Sequence, residues 1–127
     1  MHPNEQVLRD IDAAQESNDV EAFFSFFTDD VIVHMPGKSS LAGTYKGKQE
    51  FADVFQRFME RSPEYTFEAH AYLADDEHGV SMQRSHYGRG DERLDTNDTF
   101  VCHFRDGKVS EIWLSTDDPY GTDAFLG

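Results

Sequence analysis

At 127 residues the chain is long enough to bury one hydrophobic core and too short for two, and 38% hydrophobic residues with eleven Phe among them suffice to fill that core. Eleven Lys and Arg against 25 Asp and Glu leave a formal charge of −14, a surface that repels phosphate backbones and anionic headgroups and argues against nucleic-acid and membrane partners. No apolar run approaches the roughly 20 residues of a membrane span, and Met1-His2-Pro3-Asn4-Glu5 lacks the basic and apolar regions of a signal peptide, so a cytoplasmic location is expected.

Val7, Leu8, Ile11 and Ala14 recur at helical spacing and predict a helix over about Glu5 to Ser17, with Asn4 as its cap. Asn18-Asp19-Val20-Glu21 reads as a capping box that opens a second, largely buried helix carrying Val20, Phe23, Phe24, Phe26 and Phe27. Val31 to Met35 alternates as a strand up to the Pro36-Gly37 break; Ile32 and His34 share one face, and Val31, Val33 and Met35 the other. A second short strand is expected around Ala42 to Lys46. A third helix over Lys48 to Arg61 places Phe51, Val54, Phe55, Phe58 and Met59 on one stripe and ends at Ser62-Pro63. Four strands follow, at about Tyr65 to Ala74, Gly79 to Tyr87, Leu94 to Phe104 and Lys108 to Thr116, joined by short turn-rich connections that make neighbours antiparallel. The single domain is therefore expected to be α+β, a cone-shaped curved antiparallel sheet wrapped around three helices with a cleft at its open end. The tail Asp117 to Gly127, with Tyr120, Phe125 and Leu126, either closes that opening or packs on a partner. Cys102, alone and in an alternating strand, reads as a small buried hydrophobe.

The element order, together with Asp29-Asp30-Val31-Ile32-Val33-His34-Met35-Pro36-Gly37 ahead of Gly43 and Gly47, and Phe104-Arg105-Asp106-Gly107-Lys108-Val109-Ser110-Glu111-Ile112-Trp113, resembles the nuclear-transport-factor-2-like (cystatin-like) fold. Ketosteroid isomerases and SnoaL-like polyketide cyclases share that fold, which also hosts hydrolases, dehydratases and plain association modules, so function has to come from the pocket. The resemblance places the isomerases' general base at Met35, their oxyanion-hole Tyr at Ile11 and their protonated Asp near Phe100, which argues against their mechanism. Against the limonene-epoxide-hydrolase-like relatives, Arg84 matches, but His86 and Ser115 stand where carboxylates are required. The SnoaL-like cyclases imply an acid past the last strand, for which Asp117 is the candidate and Asp118 its neighbour.

His34, before the Pro36-Gly37 break, suits a general base or a donor to an enolate oxygen; otherwise its ring satisfies a neighbouring backbone group. Val80, Met82, Arg84 and His86 share a face opposite Ser81, Gln83, Ser85 and Tyr87; Arg84 would stabilise an oxyanion and His86 pass a proton, unless both lie on a solvated or subunit-facing surface. Thr96, Asp98, Phe100, Cys102 and Phe104 alternate as an inward set, so Asp98 either carries a raised pKa or pairs with Arg84 or His34. Alternation cannot place both Ile112 and Trp113 inside, and one of them is expected to face a second subunit.

The catalytic candidates are thus His34, Asp117, Asp98 and Arg84, and the substrate-lining candidates Ile32, Phe55, Met82, His86, Trp113 and Tyr45. A metal set of His34, His86 and Asp98 lacks any local ligand spacing, and neither a metal nor a cofactor is expected. The resemblance implies isomerase, cyclase or dehydratase chemistry on a small, apolar, carbonyl-bearing metabolite in a homodimeric protein. The alternative is a non-catalytic ligand-binding or association module.

Overall fold

Helix α1 (Pro3–Glu16) starts with Pro3, whose missing N–H is harmless there, while the His2 ring accepts the Asn4 amide at 3.0 Å. The computed structural model describes residues 1–127. Asn4, expected to be the cap, is instead buried and donates from its side chain to the carbonyls of Asp75 and Asp76 at 3.0 and 3.2 Å. It ties the start of the helix to a turn of the sheet.

Helix α2 (Val20–Ser25) is shorter than its aromatic run suggests. Its cap is Asp19, which accepts the Ala22 amide at 3.1 Å, because Asn18 is spent on a left-handed turn at φ 57°. Phe27, which periodicity puts in this helix, opens strand β1 (Phe27–Met35). Tertiary pairing overrides local spacing there: Phe27 lies opposite Val109 in the sheet and packs its ring 5.1 Å from both Phe23 and Phe51.

The remaining elements are β2 (Gly43–Lys46), α3 (Gly47–Arg61), β3 (Thr66–Ala74), β4 (His78–Arg89), β5 (Glu92–Arg105), β6 (Lys108–Thr116) and α4 (Pro119–Leu126). They build a curved, open six-stranded sheet in the order β2-β1-β6-β5-β4-β3. The three predicted helices cover its inner side, and the tail adds a fourth. Every pairing is antiparallel except β1 with β6, which is parallel, as the long connection through α3 and four strands between them permits. The β5–β6 hairpin turns on Asp106 and Gly107, both at positive φ (53° and 81°), as a two-residue turn of this hand requires.

The inner face carries Val31 and Val33 from β1, Thr96, Cys102 and Phe104 from β5, and Val109 and Ile112 from β6, all nearly inaccessible to solvent. Burial pushes the Cys102 thiol up to about 12, so it is an inert core group. A register shift opposite Ser110 resolves the alternation problem on β6: Val109 and Ile112 both point inward, and Trp113 faces out.

Helix α4 closes the open end of the cone, the first of the two roles left open for the tail. Phe125 and Leu126 are buried, and two arginines hold the helix end by its carbonyls: Arg61 donates to Leu126, and Arg89 to Phe125 at 2.9 Å. Gly37, at φ +92°, lets the chain after β1 approach so closely that Asp123 accepts the Lys38 amide at 3.0 Å; a Cβ at Gly37 would collide with that carboxylate.

Candidate active site

Between α1, α3, α4 and the inner face of the sheet lies a cavity of about 170 Å³. Its apolar wall comes from the helical stripe Phe51, Val54, Phe55 and Phe58, from Phe23, and from Val33, Met35, Phe100, Ile112 and Leu114 of the strands. Leu126 of α4 covers it.

The polar wall belongs to β4 and β5. Gln83 donates from its side chain to the Tyr65 hydroxyl (3.0 Å) and to the Ser85 hydroxyl (3.1 Å), and these two hydroxyls are 3.0 Å apart. Of the two hydroxyl protons only one is used between Tyr65 and Ser85, so the triad keeps one to donate elsewhere. Burial first, then the charges of Asp98 and Asp12, push the Tyr65 phenol above its usual range; burial and Asp98 do the same to Tyr87. Both phenols are donors at neutral pH. Asp98 lines the cavity and accepts from the Thr96 hydroxyl at 2.9 Å. On α4 the Thr122 hydroxyl is buried without a partner and also lines the cavity, so it is free to bond a ligand.

A second carboxylate enters from the helical side. Asp12 sits on the stripe Leu8, Ile11, Asp12 and Gln15, all four of which line the cavity, and accepts from the Tyr72 hydroxyl at 2.6 Å. Burial raises its pKa to about 6; the Tyr72 bond opposes the shift, and Glu16 one turn on adds to it.

Of the residues singled out from sequence, Asp98 and Phe55 line the cavity. The others lie elsewhere. His34 is on the outer face, stacked on Trp113 at 5.2 Å and bonded through Nε2 to Glu111 at 2.7 Å. Asp117 clips β5, accepting from the Asn97 amide and side chain at 2.9 Å each, and these bonds hold its carboxyl below the usual range. Arg84 reaches Asn97 on the outer face. His86, whose pKa Asp95 and then Glu68 raise, sits between those carboxylates at 2.7 and 2.8 Å. Ile32 and Met82 also face outward, and Tyr45 bonds the Leu41 carbonyl at 2.8 Å outside the cavity lining. His34 and His86 lie on the opposite face of the sheet from Asp98, so the three form no common ligand set.

The physical reason is strand parity. On β4 the inward set is Gly79, Ser81, Gln83, Ser85 and Tyr87, not the more apolar Val80 and Met82. A Cβ at Gly79 would lie 2.7 Å from Phe104 and 2.8 Å from the Cys102 sulfur, so the sheet has no room for a larger residue there. The hairpin register carried the signal for this: Arg89 pairs with Glu92 across a two-residue turn, which sets Ser85 opposite Thr96, Gln83 opposite Asp98 and Ser81 opposite Phe100. The inward set of β5 therefore dictates that of β4. No comparable local signal exists for Asp12, whose partner Tyr72 is 60 residues away. The positions that the resemblance aligned with isomerase machinery, Ile11, Met35 and Phe100, do line the cavity, but as apolar wall.

A SnoaL-like domain profile matches residues 8–112, and the chain belongs to the SnoaL-like family, which includes polyketide cyclases and isomerases within the nuclear-transport-factor-2-like superfamily. Among solved structures it is similar to Bal32a from a soil-derived mobile gene cassette, at 27% identity and a TM-score of 0.92 over 98% of this chain and 97% of that one. It shares the fold of a cystatin-like protein of unknown function from Xanthomonas campestris (24%, TM-score 0.89, 98% of each chain). It likewise shares the fold of TerC co-crystallised with polyporic acid (15%, TM-score 0.87, 99% of this chain and 100% of that one). None of the curated proteins matches the chain. No helix is long and apolar enough to cross a membrane.

Proposed function

We propose that this protein takes a small, mostly apolar, carbonyl-bearing metabolite into the cone and moves a proton on it without a cofactor, in an isomerisation, aldol-type cyclisation or dehydration. The observation that carries this reading is one cavity in which an aromatic wall faces protonated phenols, a free hydroxyl donor and carboxylates. Such reactions need a base beside a carbon acid and a donor beside the developing oxyanion. Asp98 is the carboxyl group that hands a proton to carbon, and the triad of Tyr65, Gln83 and Ser85 donates to the oxygen through the hydroxyl of Tyr65, which lines the cavity. Size narrows the ligand: an apolar cavity of roughly 150 Å³ takes a benzene ring, so about 170 Å³ suits one substituted ring and not a fused polycycle.

The test is solvent-deuterium exchange at the α-carbons of cyclohexanone and of 1-tetralone, followed by NMR. Exchange is expected for the single ring and not for the fused one, and Asp98→Asn is expected to lower it by about 100-fold or more, the usual reach of general acid–base catalysis. Binding without exchange would favour the second reading, a non-catalytic ligand-binding module. What favours that reading now is that His34, Arg84 and Asp117 are all engaged outside the cone.

The outer face of the sheet supports a homodimer. Leu73, Met82 and Val101 are 62%, 41% and 37% exposed on it, next to Trp113. The same face carries charges of both signs, among them Arg84, Arg105, Glu68 and Asp95, which can pair across a two-fold contact between identical surfaces. Sedimentation equilibrium should give a dimer, and Met82→Glu a monomer; a wild-type monomer at micromolar concentration would end this part of the reading. A charge of −14 disfavours nucleic acid and anionic membranes as partners, and the lone buried Cys102 accords with a cytoplasmic location.

A further inference from the structure

We propose that Asp12, oriented by Tyr72, is a second proton-transfer group of the cavity and the base that removes the carbon-bound proton. The inference rests on the proton-transfer reading above and assigns its first step.

The geometry leaves one carboxylate oxygen for this work. The Tyr72 hydroxyl donates to Oδ2 of Asp12 at 2.6 Å, while Oδ1 makes no hydrogen bond within the protein and the residue lines the cavity. Leu8 and Ile11 beside it on α1 are apolar and buried, so a carboxylate in that stripe is desolvated, a cost that packing alone does not require. Tyr72 is fixed in turn by the Arg9 guanidinium, 4.6 Å above its ring. The ionisable groups around Asp12 are Arg9 and Glu16 on α1, Tyr72 on β3, Tyr65 before it and Asp98 on β5. Glu16 and Asp98 are acids, and the only cation, Arg9, lies over the phenol. Burial, against the Tyr72 bond and with a smaller push from Glu16, raises the carboxyl to about 6, which leaves it mostly ionised at pH 7.5 yet more basic than an ordinary Asp.

In the step, the C–H bond next to the carbonyl breaks and its proton passes to Oδ1 of Asp12. The bonding pair forms the carbon–carbon double bond of the enolate, and the carbonyl π pair moves onto oxygen, which accepts from the Tyr65–Ser85–Gln83 triad. Where the substrate carries a β,γ double bond the enolate extends over it, and return of a proton to the far carbon of that dienolate completes an isomerisation with no change of oxidation state. Removal at one carbon and delivery at another can be divided between two groups, and the two cavity carboxylates stand on different elements, Asp12 on α1 and Asp98 on β5.

The test combines a titration that needs no substrate with deuterium exchange of cyclohexanone. The ¹³C resonance of the Asp12 carboxyl in the free protein should titrate near pH 6; titration at the ordinary value near 4 would overturn the assignment. In exchange kinetics the rate should fall as the pH drops through about 6, since protonated Asp12 is neutral and far too weakly basic to take a proton from carbon. Asp12→Asn should lower the rate by about 100-fold and remove that limb, with cyclohexanone affinity changed less than about threefold. Tyr72→Phe tests positioning: without the bond that orients Asp12 and lowers its pKa, the limb should move to higher pH and the plateau rate should fall, though by less than in Asp12→Asn. Wild-type exchange that persists in Asp12→Asn but not in Asp98→Asn overturns this inference alone. Absence of exchange in the wild type overturns the proton-transfer reading and this step with it.

Discussion

Phe27→Ala is expected to lower stability by about 3–5 kcal/mol, a large part of the roughly 5–15 kcal/mol that holds a domain folded. Phe27 is 1% exposed and is the residue at which helices and sheet meet. Its ring lies 5.1 Å from those of Phe23 on α2 and Phe51 on α3, the latter edge-on at 89°, and its backbone pairs with Val109 of β6. Removing it opens a void bordered by three elements that cannot all move in, because each is tied elsewhere: α2 by its Asp19 cap, α3 by its packing under the sheet, and β1 by pairing on both edges. Urea unfolding monitored by circular dichroism reads the loss directly. Phe24→Ala, which removes a half-buried ring 6.5 Å from Phe27, is the control and should have a distinctly smaller effect. Equal losses in the two variants would mean that the cluster does not centre on Phe27.

Arg89→Ala should release α4 from the mouth of the cone. One guanidinium nitrogen donates both to the Arg61 carbonyl (2.8 Å) and to the Phe125 carbonyl (2.9 Å), the group lies 4.4 Å above the Phe125 ring, and its far edge pairs with Glu92 at 3.0 Å. A helix of eight residues has almost no stability of its own, so these contacts, with the burial of Phe125 and Leu126, are what fold it. Charged hydrogen bonds of this kind contribute about 1.5–3 kcal/mol each at most, and the variant should lose about 2–3 kcal/mol locally. Hydrogen exchange at residues 122–126 should accelerate by one to two orders of magnitude, the equivalent of that loss. Functionally, 1-tetralone should gain access while cyclohexanone dissociates faster. Arg89→Lys should behave nearly as badly, since a point charge on a flexible stem cannot span two carbonyls and a ring. Unchanged exchange in α4 would show that burial of Phe125 and Leu126 suffices to hold the helix.

These two variants also mark where the chain's own pattern reaches and where it stops. Several features follow from local chemistry. The stripe Phe51, Val54, Phe55 and Phe58 defines α3 and the apolar wall; Asp106-Gly107 defines a hairpin because both residues tolerate positive φ; and the alternation Thr96, Asp98, Phe100, Cys102, Phe104 puts Asp98 on the inner face. Together with the motifs around Asp29 to Gly37 and Phe104 to Trp113, they made the family legible from the amino acids alone.

Tertiary structure decided the rest, for one physical reason: alternation within a strand defines two faces but does not say which one is buried. On β5 the aromatic members settle the choice. On β1 and β4 both faces carry apolar residues, and packing chooses Val31 and Val33 over Ile32 and His34, and Ser81, Gln83 and Ser85 over Met82, Arg84 and His86. That choice moved most of the candidate residues to the outside and brought a polar triad in. On β6 a single irregularity at Ser110 reset the phase. Likewise Phe27 became a strand residue because a partner strand and two aromatic rings outweigh helical spacing, and the tail became a helix because Arg61 and Arg89 wait for its carbonyls. Asp12 looks like one more solvated acid in a chain with 25 of them. Only the fold, by bringing Tyr72 to 2.6 Å and excluding water on one side, makes its carboxyl different from the others.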